Sequence, residues 1–106
     1  MSYTNEEILS KFQEIVADAL SVDISEVVPE ARVFSDLAAE SIDILDIQFR
    51  IEDEFGLKIN RDDFGERLAE GLGEEPTAQD IDARFTIGWC VDFICEELQA
   101  AEKVEE

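Results

Sequence analysis

Ile8, Phe12, Ile15, Val16 and Ala19 recur at helical spacing, with Lys11, Glu14 and Asp18 on the opposite face. The pattern predicts an amphipathic helix over residues 5–20. Its start is marked by Thr4 and Glu7, which suit a capping box: the Thr4 side chain accepts from a first-turn N–H while Glu7 reaches back. Between Ser21 and Glu40 the helical period is lost. This stretch holds Pro29 and the β-branched cluster Val22, Ile24, Val27, Val28 and Val33. Those side chains need burial, so the segment is expected to be an ordered, packed loop with one helical turn near Ser25–Val27.

The period returns at Ser41 and runs to Phe55, with Gly56 placed where a left-handed C-terminal residue is wanted. This second helix carries two apolar sets. Ile44, Ile47, Ile51 and Phe55 form one stripe; Ile42, Leu45 and Phe49 form another. A small domain buries one stripe, and the second either extends the core or makes a surface patch. Beyond Ile59, Asn60 with Asp62 and Asp63 reads as a helix start, with Phe64 and Leu68 facing inward. Gly71, Gly73 and Pro76 mark residues 71–79 as a loop tip, with a short helical turn after Thr77. Thr86 then caps a last helix with Ile87, Val91, Ile94 and Leu98 on one face, and Trp89 and Phe93 are expected in the core. The tail, residues 102–106, is expected to fray. The sum is an all-α fold, a small bundle of three main helices plus one or two short helices, in one domain spanning residues 1–106.

Composition narrows the function. The 106 residues hold 28 Asp and Glu against 8 Lys and Arg, a formal net charge of −20. Such a field repels phosphate backbones and anionic lipid surfaces, which argues against nucleic acid and membranes and favours protein partners with basic patches. The chain has no histidine. That removes Ser-His-Asp and Cys-His catalysis and every His-containing zinc site, so no catalytic and no metal residue is assigned. Asp80-x-Asp82-x-Arg84 opens like a calcium loop but lacks its Gly and its closing Glu. Cys90 and Cys95 lie five residues apart, on different faces of a helix, and are expected to be reduced. Short apolar runs and an acidic N-terminus without a signal-peptide pattern complete the expectation of a cytoplasmic monomer that inserts in no membrane.

One segment stands out, Asp36-Leu37-Ala38-Ala39-Glu40-Ser41-Ile42-Asp43, at the junction of the long loop and the second helix. Position alone leaves two readings of Ser41. It is an ordinary N-cap, or its exposed hydroxyl carries a phosphate stabilised by the free N–H groups and dipole of the helix end. From Val33 to Leu57 there are seven acidic residues and one basic residue, Arg50. Asp43, Asp46 and Asp53 share the helix with Ile42, Leu45 and Phe49, the makings of a docking surface for a basic groove.

The sequence resembles the acyl carrier proteins. Asp36-Leu37-Ala38-Ala39-Glu40-Ser41-Ile42-Asp43 is similar to the family's Asp-Leu-Gly-x-Asp-Ser-Leu-Asp attachment motif. Ile51-Glu52-Asp53-Glu54-Phe55-Gly56-Leu57-Lys58-Ile59 resembles its Glu-Glu-Phe-Gly-Ile-x-Ile block, and Phe85-Thr86-Ile87-Gly88-Trp89-Cys90-Val91-Asp92-Phe93-Ile94 resembles the start of its last helix. The resemblance implies a 4′-phosphopantetheine arm on Ser41, added by a phosphopantetheinyl transferase, with an acyl group held on it as a thioester. It implies a carrier rather than an enzyme, serving fatty acid or lipid biosynthesis and visiting acyl-handling enzymes such as ketoacyl synthases or acyltransferases.

Two departures qualify the resemblance. Glu40-Ser41-Ile42 replaces Asp-Ser-Leu, and residues 60–85 form a longer segment than in ordinary fatty-acid carriers. In that length, and in the Leu45-Asp46-Ile47-x-Phe49-x-Ile51 run, the chain is similar to specialised carriers of very long or hydroxylated acyl chains for lipid A. Phe64, Leu68 and Leu72 are expected to line an acyl cavity enlarged by that segment, unless the segment is a surface insertion. The alternatives are an unmodified acidic helical adaptor for a basic protein, and an aminoacyl or polyketide carrier.

Overall fold

The computed structural model describes residues 3–104, with side chains as far as Ala101. The first helix, α1, runs Asn5–Leu20. Its capping box forms as the sequence suggests: the Glu7 N–H donates to Thr4 Oγ1 at 3.1 Å, and the Thr4 N–H to Glu7 Oε1 at 2.9 Å. Ile8, Phe12 and Val16 are buried on its inner face. A 3-10 turn at Ile24–Glu26 follows, then α2 at Ser41–Phe55, α3 at Arg61–Ala69, α4 at Ala78–Arg84 and α5 at Ile87–Val104. Three long helices and two short ones make the fold all-helical. No strand forms among the described residues; an isolated bridge pairs Arg32 with Thr86.

α1 packs against both α2 and α5, and α3 against α4. One buried cluster joins them, with Phe12 and Val16 from α1, Ile47, Ile51 and Phe55 from α2, Phe64 and Leu68 from α3, and Ile87, Val91, Phe93 and Ile94 from α5. Phe64 stands edge-on to Phe85, Trp89 and Phe93 at centroid separations of 5.9, 5.4 and 5.0 Å. Edge-on aromatic pairs add about 0.5–1.5 kcal/mol each beyond burial, so this cluster fixes α3 on α5. Phe93 is buried and Trp89 half-buried, as core residues.

The loop between α1 and α2 is ordered because it is stitched to α5. Val33 N–H donates to Phe85 O at 3.0 Å, Ile87 N–H to Ala31 O at 3.0 Å and Gly88 N–H to Pro29 O at 2.9 Å. Gln13 Nε2 holds Val27 O at 2.8 Å. Val27, Ala31, Val33, Leu37 and Ala39 are buried beneath it. Not all its β-branched residues follow. Ile24 and Val28 are 47% and 40% exposed. Val27 takes the inward position at the end of the 3-10 turn, which turns Val28 outward.

Asn60 Oδ1 accepts from the Asp63 N–H at 2.9 Å, and α3 starts where expected. The loop tip is shorter than 71–79, because Thr77 and Asp80 build a further capping box and α4 begins at Ala78. Arg84 folds back from α4 to donate to Glu70 O at 2.8 Å, beyond the C-terminal end of α3. Asp82 accepts from the Ser35 N–H at 3.1 Å and pairs with Arg32 at 3.4 Å. Segment 60–85 is therefore two helices tied to each other and to the long loop. In α5, Thr86 Oγ1 accepts from the Trp89 N–H at 3.1 Å, and the helix continues to Val104. The expected tail, residues 102–106, begins inside this helix, and Glu105 and Glu106 lie outside the described residues.

Candidate functional site

Two buried side chains, Leu37 and Ala39, anchor the chain just before α2. Between them Ala38 adopts a left-handed conformation with φ 59°. The turn delivers Glu40 as the N-cap of α2 and Ser41 as its first helical residue. The Glu40 N–H donates to Asp43 Oδ2 at 2.9 Å. The N-cap reading of Ser41 is thereby corrected: the capping position belongs to Glu40, because Asp43 three residues on can reach its N–H. Ser41 is exposed, and its hydroxyl makes no hydrogen bond to another described residue. The helix end favours an anion through its first-turn N–H groups and its dipole. Asp36, Glu40 and Asp43 oppose that with negative charge, and Asp43 engages one of the nearby donors. A phosphodiester on Ser41 Oγ fits this arrangement, since the residue is exposed at the start of the helix.

Behind α2 lies an apolar cavity bounded by Phe12, Val16, Val33, Ile44, Ile47, Gln48, Ile51, Phe64, Phe85, Cys90 and Phe93. Its volume is about 20 Å³, room for about one water. Of the three residues expected to line it, Phe64 does. Leu68, one turn on in α3, is buried elsewhere in the core, and Leu72 is half-buried away from the cavity, because α3 ends at Ala69 and the chain turns off there.

Both cysteines are free. Burial pushes the Cys90 thiol far above its ordinary range and so holds it neutral. Cys95 Sγ lies 3.3 Å from Asn5 Oδ1; its thiol is also raised, by burial first and then by the Asp92 and Glu96 charges.

On the outer face of α2, Ile42, Leu45 and Phe49 are 70%, 37% and 56% exposed, so the second apolar set is a surface patch and not core. The Arg61 guanidinium sits over the Phe49 ring at 5.7 Å. The three aspartates differ. Asp53 is exposed. Asp46 is paired with Arg50 at 3.2 Å, and Arg50 also reaches Asp18 on α1 at 2.5 Å. Asp43 turns to the Glu40 N–H. The structure brings Asp53 and Asp46 to the edge of the patch and draws Asp43 toward the cap. Two neighbours escaped the sequence reading. Arg61 is twelve residues from Phe49 and no local pattern pairs them. Gln48 occupies a core phase of α2, between Ile44 and Ile51, and that phase was a visible signal of a buried polar side chain.

Among the described residues no group of three or more His, Cys, Asp or Glu is placed to hold a metal ion. No described helix is long and apolar enough to cross a membrane.

A family model described as phosphopantetheine attachment site matches residues 10–74. The matched span runs from α1 through α3 and stops before α5. The chain is 52% identical over 54 residues to an acyl carrier protein of Rubrobacter xylanophilus, covering 51% of this chain and 67% of that one. It is 42% identical over 57 residues to an acyl carrier protein of Thermotoga maritima, covering 54% and 70%. It is 36% identical over 61 residues to the acyl carrier protein AcpXL of Mesorhizobium japonicum, covering 58% and 66%.

Proposed function

We propose, because this chain belongs to the acyl carrier protein family, that Ser41 is the residue that bears its 4′-phosphopantetheine arm. The observation that carries this reading is the presentation of Ser41: first residue of α2, exposed, with a free hydroxyl, on a turn anchored by Leu37 and Ala39. When bound, the arm supplies a terminal thiol that holds an acyl group as a thioester. The chain's own residues do no bond-making. They present Ser41, shelter an acyl chain in the apolar interior and offer a docking face.

Docking falls to Ile42, Leu45 and Phe49, with Asp53 and Asp46 beside them and Asp43 nearer the attachment point. An exposed apolar strip edged by carboxylates suits a phosphopantetheinyl transferase, and ketoacyl synthases or acyltransferases with basic patches. On this reading the chain is one carrier unit, its described helices sharing a single core, working as a monomer in the cytoplasm. The paired helices α3 and α4 are the feature that favours long or hydroxylated acyl cargo of the lipid A type, because they supply an extra closing element beside the cavity.

The test is incubation with coenzyme A and a broad-specificity phosphopantetheinyl transferase, read by intact mass. The wild type gains one phosphopantetheine and Ser41→Ala gains none. An unmodified wild type, or equal gain in the variant, overturns the assignment.

A further inference from the structure

Gln48 is the one polar side chain in the buried set of the described residues, 8% exposed. It borders a cavity whose other walls are aliphatic, aromatic or thiol. Its amide makes no side-chain hydrogen bond to a described residue, yet no fully buried side-chain polar atom is left without a partner. Those facts together put the methylenes against the cavity and the amide at its margin, where solvent contact begins. There the fold meets neither its donors nor its acceptor, which are left to solvent or to a ligand.

The position on α2 gives the amide a purpose. Gln48 is seven residues from Ser41, two helical turns and about 10.5 Å along the axis, so both lie on the same flank. That flank is the border between the buried stripe and the exposed patch. A group tethered at Ser41 that enters the cavity along α2 meets Ile44 one turn on and Gln48 at the second turn.

We propose that Gln48 is a positioning residue for the arm: its side-chain amide hydrogen-bonds an amide of the phosphopantetheine when the arm is stowed with its acyl chain. A primary amide both donates and accepts, and so matches a secondary amide in either orientation. An apolar residue would leave the arm's own amide unpaired at the lip. A carboxylate would carry charge into an apolar mouth. This inference rests on the Ser41 reading.

The experiment compares the apo, arm-bearing and octanoyl-loaded protein by nitrogen-15 NMR, with the Gln48 side-chain signals assigned by their loss in Gln48→Met, a volume-conserving change. In the loaded protein the Gln48 NH₂ signals shift and exchange with solvent more slowly. The Gln48→Met thioester is cleaved by hydroxylamine about two- to tenfold faster than the wild type, the range that one hydrogen bond accounts for. Apo Gln48→Met is at least as resistant to denaturant as the wild type, because a lone polar group has left the core margin. Intact mass is read first. A chain that takes no arm overturns both readings. A chain that carries the arm and acyl group, with Gln48 signals unmoved and cleavage rates equal, overturns this one alone.

Discussion

Gly88 lies so close to Pro29 that a β-carbon added to it would stand 3.2 Å from the Pro29 carbonyl oxygen. The same carbonyl accepts the Gly88 N–H at 2.9 Å. The approach lets the first turn of α5 take up a loop carbonyl, which a larger residue would push away. Gly88→Val is expected to lose about 1–3 kcal/mol of stability, the usual cost of overpacking, measured by urea denaturation. An unchanged midpoint would mean the loop yields freely.

Ala38 holds φ 59°, where a side chain is strained by about 1–2 kcal/mol, at the position where the family motif carries Gly. Ala38→Gly relieves that strain but loosens the unfolded chain, so the net gain should be about 0.5–1 kcal/mol. Denaturant midpoints of the two proteins decide it. A loss of stability would show that the left-handed turn is not populated.

Cys90 gives a dependence on pH. Its thiol is held neutral by burial, above its ordinary value of 9.0, so the folded chain keeps a proton that the unfolded chain releases as pH rises past that value. Its contribution is whole below pH 9 and declines above it, by up to about 1.4 kcal/mol per pH unit. Stability measured from pH 8 to 10.5 should therefore fall more steeply in the wild type than in Cys90→Ala. In the native protein a thiol-alkylating reagent should mark Cys95 before Cys90. The Cys90→Ala, Cys95→Ala double variant should still take the arm.

Phe49 and Asp53 test the docking face. Both are exposed, so Phe49→Ser and Asp53→Lys should change stability by less than about 0.5–1 kcal/mol. Each should slow arm transfer by about tenfold if it sits at the centre of the contact. The rate should fall as salt rises, since exposed charges are screened over about 8–10 Å. Asp46→Lys is a poorer probe, because it also breaks the bridge through Arg50 to Asp18. Equal slowing by reversal of Glu105 and Glu106 would reduce the effect to net charge.

The cavity sets a test of cargo. At about 20 Å³ it holds no acyl chain as it stands, so loading must part the side chains around it. Each methylene then taken from water is worth about 0.8 kcal/mol before that cost. Melting temperature should climb along a series of loaded chain lengths and level off where the interior is full. A rise that continues into the long-chain range, with amide shifts in residues 60–85, supports the long-chain reading; a plateau at short chains contradicts it.

Helix limits were legible where local chemistry sets them. Thr4 with Glu7, Asn60 with Asp63 and Gly56 act within one turn, and their helices begin and end where the sequence indicates. The segment around Ser41 stood out by motif, but its geometry was not legible. A Ser preceded by Glu reads as a cap until the Asp43 carboxylate is seen on the Glu40 N–H. Leu68 and Leu72 follow Phe64 along the segment and so read as lining the cavity with it, but which buried side chains face one cavity is set by how the helices pack and not by local spacing. The placing of Arg61 over Phe49 is a relation between distant segments that no local spacing encodes, whereas the burial of Gln48 follows from its phase on α2.

The stitching of residues 29–33 to residues 85–88 also has a consequence in time. A chain emerging from the ribosome completes Ser41 long before α5 exists, and until then the carbonyls of Pro29 and Ala31 lack their partners at Gly88 and Ile87. The turn that presents the serine would be loose during that interval. On the Ser41 reading, a modifying enzyme would then meet a properly shaped substrate only once the last helix has docked, and an unfinished bundle would go unloaded.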